Sequence, residues 1–135
     1  MALLDWNDKY SVKVSSIDAQ HKKLFDMVNE LHDAMKSGTG STHVPAILNL
    51  LVAYTREHFA NEERLMVQAK YANFALHKAE HDALTSEVVK MARDLEYGRI
   101  TLSVQLLEFL KNWLQNHILS SDRKYSGTLH AAGVR

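Results

Sequence analysis

Phe74-Ala75-Leu76-His77-Lys78-Ala79-Glu80-His81-Asp82-Ala83-Leu84 carries a helical rhythm with histidines where apolar side chains belong. Its stripe Phe74, His77, His81, Leu84 continues through Val88, Met91 and Leu95 in alternating steps of three and four. That spacing keeps side chains on one face of a helix with ~3.6 residues per turn. Similar stripes run through Ile17, His21, Leu24, Val28, Leu31 and Met35, and through Val44, Leu48, Leu51, Thr55, His58, Glu62 and Leu65. A last one runs through Leu106, Leu110, Trp113 and His117. Each places an ionisable group in a core slot.

A buried imidazole or carboxylate without a partner costs several kcal/mol. A single histidine on an apolar face ordinarily meets that cost by hydrogen bonding to a neighbour. Here His21, the pairs His58 with Glu62 and His77 with His81, and finally His117 and Asp122 occupy related positions on separate stripes. Residues four apart on a helix lie one turn above each other, so each pair can grip one centre. Seven such groups in register read as a buried two-metal site. His32 beside its stripe, His43 in an expected turn and His130 in the tail read as surface groups.

The 135 residues suit one domain, 1–135, with one well-filled core. Sixteen basic and sixteen acidic residues give no net field for nucleic acid or anionic lipid. The absence of cysteine excludes disulfides, iron–sulfur clusters and thiolate zinc, leaving imidazole and carboxylate as ligands. No apolar run approaches ~18 residues and no signal pattern opens the chain, so a cytoplasmic protein without membrane insertion is expected.

One proline and five glycines, with three-four periodicity almost throughout, predict an all-α fold. Helices are expected at about 17–37, 42–66, 73–97 and 101–121, after an arm, 1–16, and before a tail from about 125. Ser16 or Asp18 would cap the first helix, Ser37-Gly38-Thr39-Gly40-Ser41 would end it, and Pro45 would sit in the first turn of the second. Gly98 would stop the third helix and Thr101 would cap the fourth. Leu3, Leu4, Trp6, Tyr10, Val12 and Val14 give the arm enough apolar surface to pack on the bundle.

Short connections make successive helices antiparallel. The start of the first helix, the end of the second, the start of the third and the end of the fourth then share one end of the bundle, and all seven candidates lie there. His117 and Asp122 alone break the pattern. A step of five turns a side chain ~140° from the starting face, so the fourth helix must widen or end between them.

Over nearly its whole length the chain resembles the hemerythrins, the single-domain bacterial ones in particular. The resemblance rests on the arm with Trp6 and Tyr10, Ile17-Asp18-Ala19-Gln20-His21-Lys22, His58-Phe59-Ala60-Asn61-Glu62-Glu63, His77-Lys78-Ala79-Glu80-His81, and Trp113-Leu114-Gln115-Asn116-His117-Ile118 before Asp122. Tyr71-Ala72 replaces the usual Tyr-Pro, and Leu84 stands where an aromatic is common. The resemblance implies an up-down-up-down antiparallel four-helix bundle, which is also how a hemerythrin relative is ordinarily described.

Residue types alone suit iron, copper, nickel or zinc. Two octahedral ions offer about twelve positions; five imidazoles, two bridging carboxylates and one bridging oxide or hydroxide leave about one open for a small ligand. The resemblance implies two iron ions with such a bridge: His77, His81 and His117 on one, His21 and His58 on the other, Glu62 and Asp122 spanning both. It implies reversible dioxygen binding for carriage, storage or local delivery by a non-enzyme, for which a protein recipient of oxygen is one possible partner; a monomer is expected because one four-helix core accounts for the stripes. A di-iron oxidase or peroxidase, or iron or nitric oxide handling, are the alternatives. Phe25, Phe59, Trp113, Leu114 and Ile118 lie within a turn of ligand candidates and would wall the pocket, Leu114 foremost.

Overall fold

The computed structural model describes residues 3–37, 40–98 and 104–134, and within these the side chains outside 40–43 and 104–106. A 3-10 turn, Asp8–Tyr10, precedes α1 (Ser15–Lys36), α2 (Gly40–Gln68), α3 (Phe74–Glu96) and α4 (Val104–Asn116). The chain then passes through a π-helical segment, His117–Asp122, directly into α5 (Arg123–Ala131). α4, the π segment and α5 form one continuous rod, so the bundle is an antiparallel arrangement of four rods, and the described residues contain no strand.

Several local expectations are corrected. α1 begins one residue before Ser16, with Val14 at the capping position and no side-chain cap. The Asp18 carboxylate instead reaches back, accepting from the Val12 amide at 2.9 Å and the Ser11 hydroxyl at 2.6 Å. It thereby ties the arm to the first turn. α2 begins at Gly40, which places His43 in a helix rather than a turn and Pro45 beyond the first turn. Gly98, with φ +72, follows α3 as expected. Thr101, Gly38, Thr39 and the side chains of His43 and Leu106 lie outside the described residues.

The largest correction is the tail. From Arg123 the chain is helical, and Tyr125 and Leu129, one turn apart, are both fully buried. They join Val12, Val14, Ile17, Leu65 and Met66 in an apolar cluster that plugs one end of the bundle. A second, larger cluster fills the rest, built on Leu24, Val28, Leu31, Leu48, Leu51, Val88, Leu110 and Leu114 among others. The polar side chains taken from the stripes sit at the seam: His21 between Ile17 and Leu24, Glu62 between Phe59 and Leu65, Asp122 between Ile118 and Tyr125.

The arm packs as its apolar content predicts. Asn29 brackets Leu4 with two hydrogen bonds, its Oδ1 accepting from the Leu4 amide and its Nδ2 donating to the Leu4 carbonyl. Trp6 and Tyr10 close around Phe25, with ring centroids 5.4 and 4.9 Å from it. Gln115 donates to the Tyr10 hydroxyl from the fourth rod. The expected surface histidines differ from expectation. His32 is half-buried with a buried, unpartnered Nδ1, and half-buried His130 on α5 hydrogen-bonds the Lys13 carbonyl. No helix among the described residues is long and apolar enough to cross a membrane.

Candidate metal centre

All seven predicted residues come together, each 5% exposed or less. Their donor atoms form two overlapping sets within which every pair lies inside 4.8 Å: Glu62, His77, His81, His117 and Asp122; and His21, His58, Glu62 and Asp122. Only the carboxylates belong to both.

The carboxylates divide their oxygens between the sets. Glu62 Oε1 faces His21 Nε2 at 3.2 Å and touches His58 Nε2, while Oε2 faces His81 Nε2 at 3.5 Å and His77 Nε2 at 3.8 Å. Asp122 Oδ2 lies 3.0 Å from His21 Nε2, while Oδ1 lies 3.0 Å from both His77 and His117 Nε2. Most of these contacts lack hydrogen-bond geometry. Nε2 of His58, His77, His81 and His117, Oε2 of Glu62 and both Asp122 oxygens are buried without a hydrogen-bond partner. Orphaned donors of this kind, in a fully buried layer, are costly unless they converge on something between them. Imidazoles and shared carboxylates are the donor set that first-row metal ions take, so the residues fit a two-metal centre.

Asp122 reaches this position because of the π segment. The Ser120 hydroxyl donates to the Asn116 carbonyl at 2.6 Å, occupying an acceptor that a regular helix would give to a backbone amide. The widened turn absorbs one residue and returns a five-residue step to the facing side. The widening expected from the spacing is therefore present, and it ends in α5.

Charge is balanced inside the layer. Burial works against protonated His21, but the close carboxylates of Asp122 and Glu62 outweigh it and raise its pKa to about 9. His117 behaves alike: burial lowers it, Asp122, Glu80 and Glu62 raise it further, and it stands at about 10. Burial pushes both carboxylates up, with repulsion from Asp122 added for Glu62, yet the surrounding histidines hold both below the ordinary carboxylate range.

Other residues around the layer have no assigned role from sequence. Gln20 Oε1 lies 2.7 Å from His58 Nδ1, Glu63 Oε2 2.9 Å from His81 Nδ1, and Glu80 Oε1 2.9 Å from His117 Nδ1. The Ser121 hydroxyl donates to the same Glu80 oxygen, and Asn61 to Gln20. An outer acceptor on Nδ1 makes that nitrogen carry a proton, so Nε2 is the inward atom left to offer a lone pair once an ion displaces any proton there. Tyr125 was hidden by the expected tail. Its hydroxyl is buried beside the carboxylates; burial and the charges of Glu62 and Asp122 hold its pKa well above the ordinary phenol value. Of the expected walls, Phe59 stacks on His81 with centroids 3.8 Å apart and planes 2° from parallel, and Leu114 and Ile118 are buried in the same apolar cluster as Phe59, whereas Phe25 packs its ring against the arm's Trp6 and Tyr10.

The family model for the hemerythrin HHE cation binding domain matches residues 12–129. The chain belongs to the hemerythrin family. Among other hemerythrins, the bacteriohemerythrin of Methylococcus capsulatus is 37% identical over 132 residues, covering 97% of this chain and 100% of that protein. The bacteriohemerythrin of Stenotrophomonas maltophilia is 35% identical, covering 97% of this chain and 84% of its own. A wild-type hemerythrin crystal structure superposes with a TM-score of 0.89 at 36% identity, over 95% of this chain and 98% of that one. In this hemerythrin fold the seam between the apolar clusters is the candidate metal layer.

Proposed function

We propose that the protein binds dioxygen reversibly at a di-iron centre, as a carrier, store or local donor of oxygen. His77, His81 and His117 would hold one ion, His21 and His58 the other, and Glu62 and Asp122 would bridge. The observation that supports this most directly is the division of each carboxylate's oxygens between a three-histidine and a two-histidine set. Two ferrous ions held by these residues would supply the electrons and a position for a small ligand, and the two-histidine set, with fewer protein donors, would leave room for it.

The chain's own contribution is to keep that position dry and its donors aimed. Phe59, Leu114 and Ile118, each 4% exposed or less, exclude water on one side, and the Tyr125–Leu129 plug does so on the other. The Tyr125 hydroxyl keeps its proton throughout the neutral range. A site with few mobile protons favours release of the gas intact over its reduction, which separates this reading from an oxidase.

Purified protein reconstituted anaerobically with ferrous ion should hold two irons per chain. It should gain a visible absorption band under oxygen that disappears on deoxygenation over repeated cycles. Oxygen uptake that instead consumes reductant in stoichiometric amounts would make the protein an oxidase.

A further inference from the structure

The outer acceptors pass from helix to helix in order. Gln20 on α1 holds His58 on α2, Glu63 on α2 holds His81 on α3, and Glu80 on α3 holds His117 on the fourth rod. The ring does not close: His21 Nδ1 is buried without a partner. It is also unequal in charge. Two anionic carboxylates back histidines of the set Glu62, His77, His81, His117 and Asp122, while the set His21, His58, Glu62 and Asp122 has one neutral amide.

We propose that the two metal positions are built unequal, the three-histidine position filling first and holding its ion more tightly, with Glu63 and Glu80 as positioning residues that set the order. This rests on the metal-centre reading above. The three-histidine set offers five donor residues against four. An imidazole whose Nδ1–H is given to a carboxylate is a stronger Nε2 donor than one given to an amide, because the anion stabilises positive charge drawn onto the ring. Glu63 is 19% exposed and Glu80 42%, so solvent screens Glu80 more, while Lys78, 3.9 Å from Glu63, offsets part of the Glu63 charge.

Chelator-stripped protein titrated with cobalt(II), followed by calorimetry and visible absorption, tests this. Wild type should bind two equivalents in two resolved steps. Glu63→Gln, which keeps an acceptor but removes the charge, should weaken the first step by ~10–100-fold and leave the second nearly in place. Glu80→Gln should do the same, and Gln20→Glu should tighten the second step and narrow the gap. Circular dichroism of each stripped variant registers any loss of fold. Two equivalents bound in one unresolved step by wild type, or equal weakening of both steps in Glu63→Gln, would overturn the inference while leaving the metal centre standing. Failure of wild type to bind cobalt would overturn the centre itself.

Discussion

Glu62 and Asp122 show why ionisable groups persist in a core that could hold leucine. Both are completely buried, and each faces histidines from at least two other helices. Six of the seven such residues were legible because they replace members of apolar stripes, and Asp122 because it shares their end of the bundle at a step that required a widened turn. Gln20, Glu63 and Glu80 were not. Each adjoins a ligand candidate in the chain but serves a histidine on the next helix, and a polar residue beside a stripe is ordinarily solvated. Leu114 was legible as a wall, and its 2% exposure defines a measurable expectation. Leu114→Ala should destabilise the protein by ~2–5 kcal/mol in denaturant melts, the usual range for truncating a buried leucine. By admitting water beside His117 it should also shorten the lifetime of the oxygenated form, and an unchanged lifetime would remove Leu114 from the pocket.

At the scale of elements, the π segment decides where the fourth rod's carboxylate and the plug behind it point. One residue beyond α-helical register is already stored there, so deleting the exposed Ser120 should let the segment relax to α pitch with Asp122 still facing inward. Inserting an alanine at the same place should swing Asp122 and α5 by ~100°. Cobalt stoichiometry separates the two: near two equivalents for the deletion and a clear loss for the insertion. The π turn was foreseeable because a five-residue step contradicts a regular helix. α5 was not, since only Tyr125 and Leu129 mark its buried face and Gly127 in its middle lowers helix propensity by ~1 kcal/mol relative to alanine. Tertiary burial against Val12, Val14 and Ile17 outweighs that deficit. Composition likewise concealed the early start of α2, where Gly40 and Ser41 resemble a linker.

For the molecule as a whole, the polar layer links stability to protons and metal. His21 and His117 carry pKa values of about 9 and about 10 against an ordinary 6.5, so the folded apoprotein binds their protons more tightly than the unfolded chain. Their stabilisation is fully present below pH 6.5 and is lost as pH rises through 9 and 10. Thermal melts of stripped protein should therefore show a falling midpoint between neutral pH and pH 10. The metal-loaded protein should melt higher at neutral pH and lose less over the same interval, because ligation replaces those protons. A stripped midpoint flat across that range would refute the assignment of the two protons. The antiparallel bundle itself was readable from four stripes and short connections.

The Ser126 hydroxyl donates to the Val12 carbonyl and His130 contacts that of Lys13, so the last helix is fastened to the arm as well as to Asp122 one turn away. A load on either end is thus passed along the last helix toward the buried Asp122 at its start. A fusion tag at either end should therefore disturb the candidate metal layer, and comparing the cobalt stoichiometry of tagged and cleaved material would expose the size of that leverage.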